Sequence, residues 1–126
     1  MKQIIAAIVL FFVIDALYLG ITSGNWNKLL TRIQGSPISI KAVPFIGVYS
    51  LMIYGWYYFI YKQYYIHKSI NLATKNALIL GLVIYGVFDL TNMAIIKEWD
   101  IKYVIMDILW GGFLFSAVTY LVLNYV

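Results

Sequence analysis

The run "ALILGLVIYGVFDLTNMAII", residues 77–96, decides the kind of fold this chain adopts. At about 1.5 Å per residue it is long enough to cross the roughly 30 Å hydrocarbon core of a bilayer. It reads as lipid-buried, yet it carries Asp89, Thr91 and Asn92. A membrane helix holds such residues only where something meets their polarity.

The rest of the chain agrees with that solvent. Hydrophobic residues make up 63% of the 126 positions and charged residues only 11%, with a mean hydropathy of +0.86. Soluble domains are about 45–50% apolar and about 25% charged. A water-soluble fold this small has too little interior to hide so much apolar surface. The chain therefore reads as an all-α integral membrane protein. The absence of cysteine excludes disulfides, iron–sulfur clusters and thiolate metal sites, and no cofactor is expected. A net charge of +4, spread over the loops, suits anionic lipid headgroups and not nucleic acid.

Four segments pass the length test for a transmembrane helix: about 4–22, 42–61, 76–96 and 103–125. Together they predict one four-helix transmembrane domain over 1–126, a bundle with both termini on the same side of a cell or host membrane. The first span is not read as a signal peptide, because Asp15 interrupts its core and no clean small-residue cleavage pattern follows. Between the first and second spans, Trp26, Leu29, Leu30 and Ile33 recur at i, i+3, i+4 and i+7. That spacing predicts a short amphipathic helix over about 25–34, anchored at the interface by those four residues, with Gly35, Ser36 and Pro37 ending it. Lys2, Lys62, Lys68 and Lys75 fall on the side of the termini, and Lys28, Arg32, Lys41, Lys97 and Lys102 on the other. So even a division of basic residues leaves the orientation undetermined. The single histidine, His67, stands in a loop beside Lys68 and is given no role.

Of five acidic residues, Glu98 and Asp100 lie in a loop, whereas Asp15, Asp89 and Asp107 fall within predicted spans. Measured from the predicted helix ends, the three stand roughly 6–10 Å below the same surface. An Asp in a membrane helix costs about 2.5–3.5 kcal/mol on insertion scales, so such residues turn inward and are functional candidates. Carboxylates clustered without cationic partners repel, so at least one is protonated or a cation sits among them. The expected ligand is thus a proton, a metal cation or an organic ammonium, and any metal would be held by Asp15, Asp89 and Asp107. Asn92 shares a helical face with Asp89, and Trp110 shares one with Asp107 and offers an indole N–H or an aromatic face to a cation. Thr91, Gly111 and Gly112 are read as helix-packing residues. A short echo links "DALYLG" (15–20) and "DILWGG" (107–112), both Asp-x-Leu-aromatic-x-Gly, on helices of opposite direction.

Together "DALYLG", "YGVFDLTNMAIIKEW" (85–99) and "MDILWGGFL" (106–114) resemble the signatures of the predicted-membrane-protein family catalogued as domain of unknown function 2177. The resemblance runs over nearly the whole chain, although members carry a tryptophan where this chain has Tyr18. It implies four helices and a membrane location, with no established activity.

Three functions compete. The first is a small cation- or proton-coupled transporter or channel subunit, with Asp15, Asp89 and Asp107 binding the ion and Asn92 and Trp110 completing the site. Four helices enclose little volume, so this reading expects a homo-oligomer. The second is an intramembrane enzyme acting on a lipid or isoprenoid through an Asp pair. No Ser/His, Cys/His or His-rich constellation accompanies the acids, so the reading leans away from an enzyme and assigns no catalytic residue. The third is an accessory subunit whose polar layer fixes helix register.

Overall fold

The computed structural model describes residues 1–126 as four antiparallel helices without strands. They are α1 (Lys2–Gln34), α2 (Ala42–His67), α3 (Ile70–Ile95) and α4 (Ile101–Tyr125), each long and apolar enough to cross a membrane. Helix α2 holds Pro44 in its first turn and a π-helical turn at Tyr57–Tyr61. It ends at Lys68, which takes the left-handed conformation (φ 57°) and donates its N–H to the Tyr64 carbonyl. The Ser69 hydroxyl then caps α3, accepting from the Leu72 N–H at 3.2 Å, so α3 starts six residues before the predicted 76. Asp100 caps α4 in the same way, accepting from the Lys102 N–H at 2.9 Å.

One expectation about α1 changes. No break separates the first span from the amphipathic stretch: residues 25–34 are the last turns of a single helix of 33 residues. Ser and Gly at 23–24 resemble a helix end, but the hydroxyls bond back within the helix. Thr22 donates to the Tyr18 carbonyl at 2.8 Å and Ser23 to the Gly20 carbonyl at 3.2 Å. The helix stops only at Gly35, whose φ of 78° closes a left-handed cap on the Thr31 carbonyl. At about 50 Å, α1 is longer than the hydrocarbon core is thick.

The expected anchor residues are likewise occupied by the protein itself. Leu29 is buried against Trp99 and Val104, with Trp26, Leu30 and Ile33 packed around them. The overhang of α1 thus roofs the α3–α4 connection. We expect Leu29→Ala to lower the unfolding free energy by about 2 kcal/mol or more, read by thermal unfolding in detergent. A variant of unchanged stability with weakened lipid association would instead restore the anchor reading.

Toward the end that holds both termini, Phe11, Trp56, Phe115, Leu114, Val118 and Val122 form the main apolar core. Its polar atoms are paired: the Trp56 Nε1–H donates to Thr119 Oγ1 at 2.9 Å, and Tyr61 and Tyr65 both donate to Gln3 Oε1 at 2.9 Å. Helices α3 and α4 make the most extensive pairing in the molecule. They approach through glycine: a Cβ on Gly81 would run into the Gly111 carbonyl, and the Tyr85 ring lies flush on Gly111. Small residues at such crossings let backbones meet.

Candidate functional site

The half of the bundle away from the termini holds all three intramembrane aspartates, each buried. Their setting follows from the antiparallel course of α1 and α4. Each helix carries an Asp with an aromatic residue three positions on. In an antiparallel pair, the Asp of one helix lies level with the aromatic of the other. The Trp110 Nε1–H accordingly donates to Asp15 Oδ1 at 2.9 Å, and the Tyr18 hydroxyl donates to Asp107 Oδ1 at 3.1 Å. Between these bonds the Tyr18 and Trp110 rings stack, with centroids 4.4 Å apart and planes within 9°. The echo of "DALYLG" and "DILWGG" is therefore a reciprocal clasp, made possible by their opposite directions.

Asp15 receives a second donor, the Tyr49 hydroxyl of α2, so three helices meet on one carboxylate. Asp89 is the opposite case. It is 0% exposed, and neither of its oxygens has a hydrogen-bond partner. Its neighbour across the α3–α4 interface is the carboxyl group of Asp107. The Trp99 indole lies beside Asp89 and that of Trp26 beside Tyr18, yet both Nε1–H groups are buried without an acceptor. With Phe88 edge-on to Trp99 and Trp26 6.0 Å from it between centroids, these rings close an aromatic roof over the acids.

Within the expected band of roughly 6–10 Å the three carboxylates divide into a pair and a single group. Asp89 and Asp107 meet, but Asp15 sits level with Trp110, roughly 4–5 Å further from Asp107 along the α4 axis. The sequence ruler took Thr22 as the end of the first helix, and α1 does not end there. No group of three or more Asp, Glu, His or Cys side chains gathers in a way that could hold a metal ion. Asn92 is half-buried, with no side-chain hydrogen bond, and its carbonyl accepts from the Ile96 N–H at 2.8 Å. Thr91 is exposed and makes no side-chain hydrogen bond. Two positions along a helix from Asp89, it faces nearly the other way. Gly111 and Gly112 are buried under Tyr85 and under Leu78 and Leu82 respectively.

Sequence reasoning did not single out Tyr18, Tyr49 or Trp99 as site residues, and it read Trp26 only as an interfacial anchor. The paired Asp-x-x-aromatic spacing was a usable signal for Tyr18. Tyr49 offered no comparable spacing, and nothing in "KEWDI" indicated that Trp99 folds back over Asp89.

Two open crevices lead to Asp107. One, of about 460 Å³, lies between α2 and the α3–α4 pair. The other, of about 610 Å³, lies under the overhang of α1. Chemically, the site offers two adjacent carboxyl groups without a basic partner, in an aromatic shell with idle N–H donors.

No curated protein and no solved structure matches the chain. One family does, over residues 1–123: the chain belongs to the family described as predicted membrane protein (DUF2177), and with its four spans it is an integral membrane protein.

Proposed function

We propose that the protein is a small proton- or cation-coupled transporter, or a channel subunit, whose ion site is the Asp89–Asp107 pair. The observation that carries this reading is the fully buried Asp89, both of its oxygens unpartnered, next to a second carboxyl group. Burying an unpaired charge is so costly that a buried carboxyl pair holds either a proton or a cation. A packing role is better served by the arrangement at Asp15, where two donors quench the carboxylate. Asp15, with Tyr49 and Trp110, is then the residue that holds α1, α2 and α4 in register around the site. The Tyr18 hydroxyl donates to Asp107, and Asn92, one turn from Asp89, and the idle indoles of Trp26 and Trp99 are further polar groups of the site.

The test is flux in liposomes. The purified protein, reconstituted with a pH-sensitive dye inside, is given a pH jump or a gradient of a monovalent cation. Wild type is expected to dissipate the gradient, and Asp107→Asn to fall to the level of protein-free vesicles. Asp15→Asn retains activity, because the amide oxygen still accepts from Trp110 while the amide nitrogen donates to the Tyr49 hydroxyl, which turns to accept. Equal flux in wild type and Asp107→Asn would sink the reading.

A further inference from the structure

The two crevices differ in chemistry, and they share a wall. The first is walled by Val48, Leu51 and Met52 of α2 and by Ile84 and Phe88 of α3, with Asp107 as its one charged group. Val48, Leu51 and Phe88 are 53%, 75% and 57% exposed, so this crevice opens sideways into the bilayer. The second is lined in part by Ser23, Trp26, Asn27 and Trp99, and it lies toward the connections at the end of the bundle. Phe88 and Asp107 line both.

An apolar cleft facing lipid would by itself hold an acyl chain. A lipid tail, however, offers nothing to a carboxyl group, and this cleft ends on one that lacks a basic partner. Charge complementarity therefore selects an occupant with an apolar body and a positive centre. The aromatic faces of Phe88 and Tyr85, which also line the cleft, suit such a cation further. We propose that the α2–α3 crevice admits a lipophilic organic cation from the bilayer, that its charge is met at Asp107, and that the second crevice releases it toward the bundle end. The inference rests on the ion-site reading and names its substrate class: the cation and a proton occupy the carboxyl pair in turn. The cleft exists because α2 stands off the bundle in its first half, tied there by the single bond from Tyr49 to Asp15. The titratable groups around Asp107 are Asp89 and Tyr85 on α3 and Asp15 and Tyr18 on α1, while α2 contributes Tyr49.

Binding of radiolabelled tetraphenylphosphonium to the full chain in nanodiscs tests this. Saturable binding is expected, displaced by acidification in the wild type and absent in Asp107→Asn. Leu51→Trp, which narrows the cleft, weakens it by about tenfold or more. Triphenylphosphine oxide, apolar but uncharged, does not compete. Competition by that neutral compound, or no saturable binding, overturns the substrate class. If the wild type still carries protons in liposomes and Asp107→Asn does not, the ion site survives that failure. If neither protons nor cations move, the underlying reading falls as well.

Discussion

Replacing Asp89 by leucine is expected to raise the thermal stability of the purified protein while abolishing its ion flux. The first half follows from the state of the side chain. Asp89 is wholly buried, and its oxygens accept no hydrogen bond. A buried polar group left unsatisfied costs about 1–3 kcal/mol. Leucine is not much larger, and exchanging buried charged groups for apolar residues of similar volume is often neutral or stabilising. The second half follows from the proposed role, because leucine can bind neither a proton nor a cation. The control is Asp15→Leu, for which the sign reverses. There the substitution strands the Tyr49 hydroxyl and the Trp110 N–H, both of which now donate to the carboxylate. Stability falls by a similar amount. Two aspartates of like burial, about one helical turn apart along the bundle, thus respond oppositely. Unfolding followed by intrinsic tryptophan fluorescence in detergent reads the difference. Loss of stability in Asp89→Leu equal to that in Asp15→Leu would make Asp89 a packing residue and remove the basis for an ion site.

The contrast between these two residues also marks where sequence reading stopped. That all three aspartates are buried was legible, because the insertion cost of a carboxylate in lipid leaves little alternative. The four spans were legible for a similar reason, since crossing a bilayer is a matter of counting apolar residues. Which partner each acid would find was not. That depends on the register of α1 against α4, and register is set by contacts such as Gln3 near Val122, and Phe11 on Phe115 at 5.0 Å, that no local pattern announces. The same limit hid the end of the first helix. The first span was ended at Thr22, whereas in an apolar setting the Thr22 and Ser23 hydroxyls satisfy the helix's own carbonyls and α1 runs on to Gln34. The amphipathic stripe at 26–33 was visible as a pattern. Its target was not, since a bilayer surface and the Trp99–Val104 patch are both apolar.

Glycine substitutions at the α3–α4 crossing should then produce the largest structural losses in the chain, in a graded order. Gly81→Ala places a methyl group against the Gly111 carbonyl, which is backbone and cannot rotate away. The helices must separate. Separation costs the packing of the closest pair in the bundle and parts Asp89 from Asp107, which lie on those same two helices. A loss of more than about 3 kcal/mol is expected, in the range of severe overpacking, with failure to purify as a single species. Gly112→Ala meets side-chain atoms alone, Leu78 Cδ1 and Leu82 Cδ2 at 2.8 Å and Leu82 Cγ at 3.0 Å. Those leucines can shift rotamer, so the loss is smaller, about 1 kcal/mol. At Gly86 the nearest atom is Ile108 Cδ1 at 4.0 Å, ordinary contact distance. Alanine fits there and, as the better helix former, adds up to about 1 kcal/mol. The expected order of stability is Gly86→Ala, wild type, Gly112→Ala, Gly81→Ala, measured by thermal unfolding and size-exclusion profile in one detergent. Flux should follow a different order, because Gly112→Ala leaves the carboxyl pair in place while Gly81→Ala does not. A Gly81→Ala protein that is folded, monodisperse and active would mean that α3 and α4 do not cross at Gly81 and Gly111, and the pairing of Asp89 with Asp107 would lose its support.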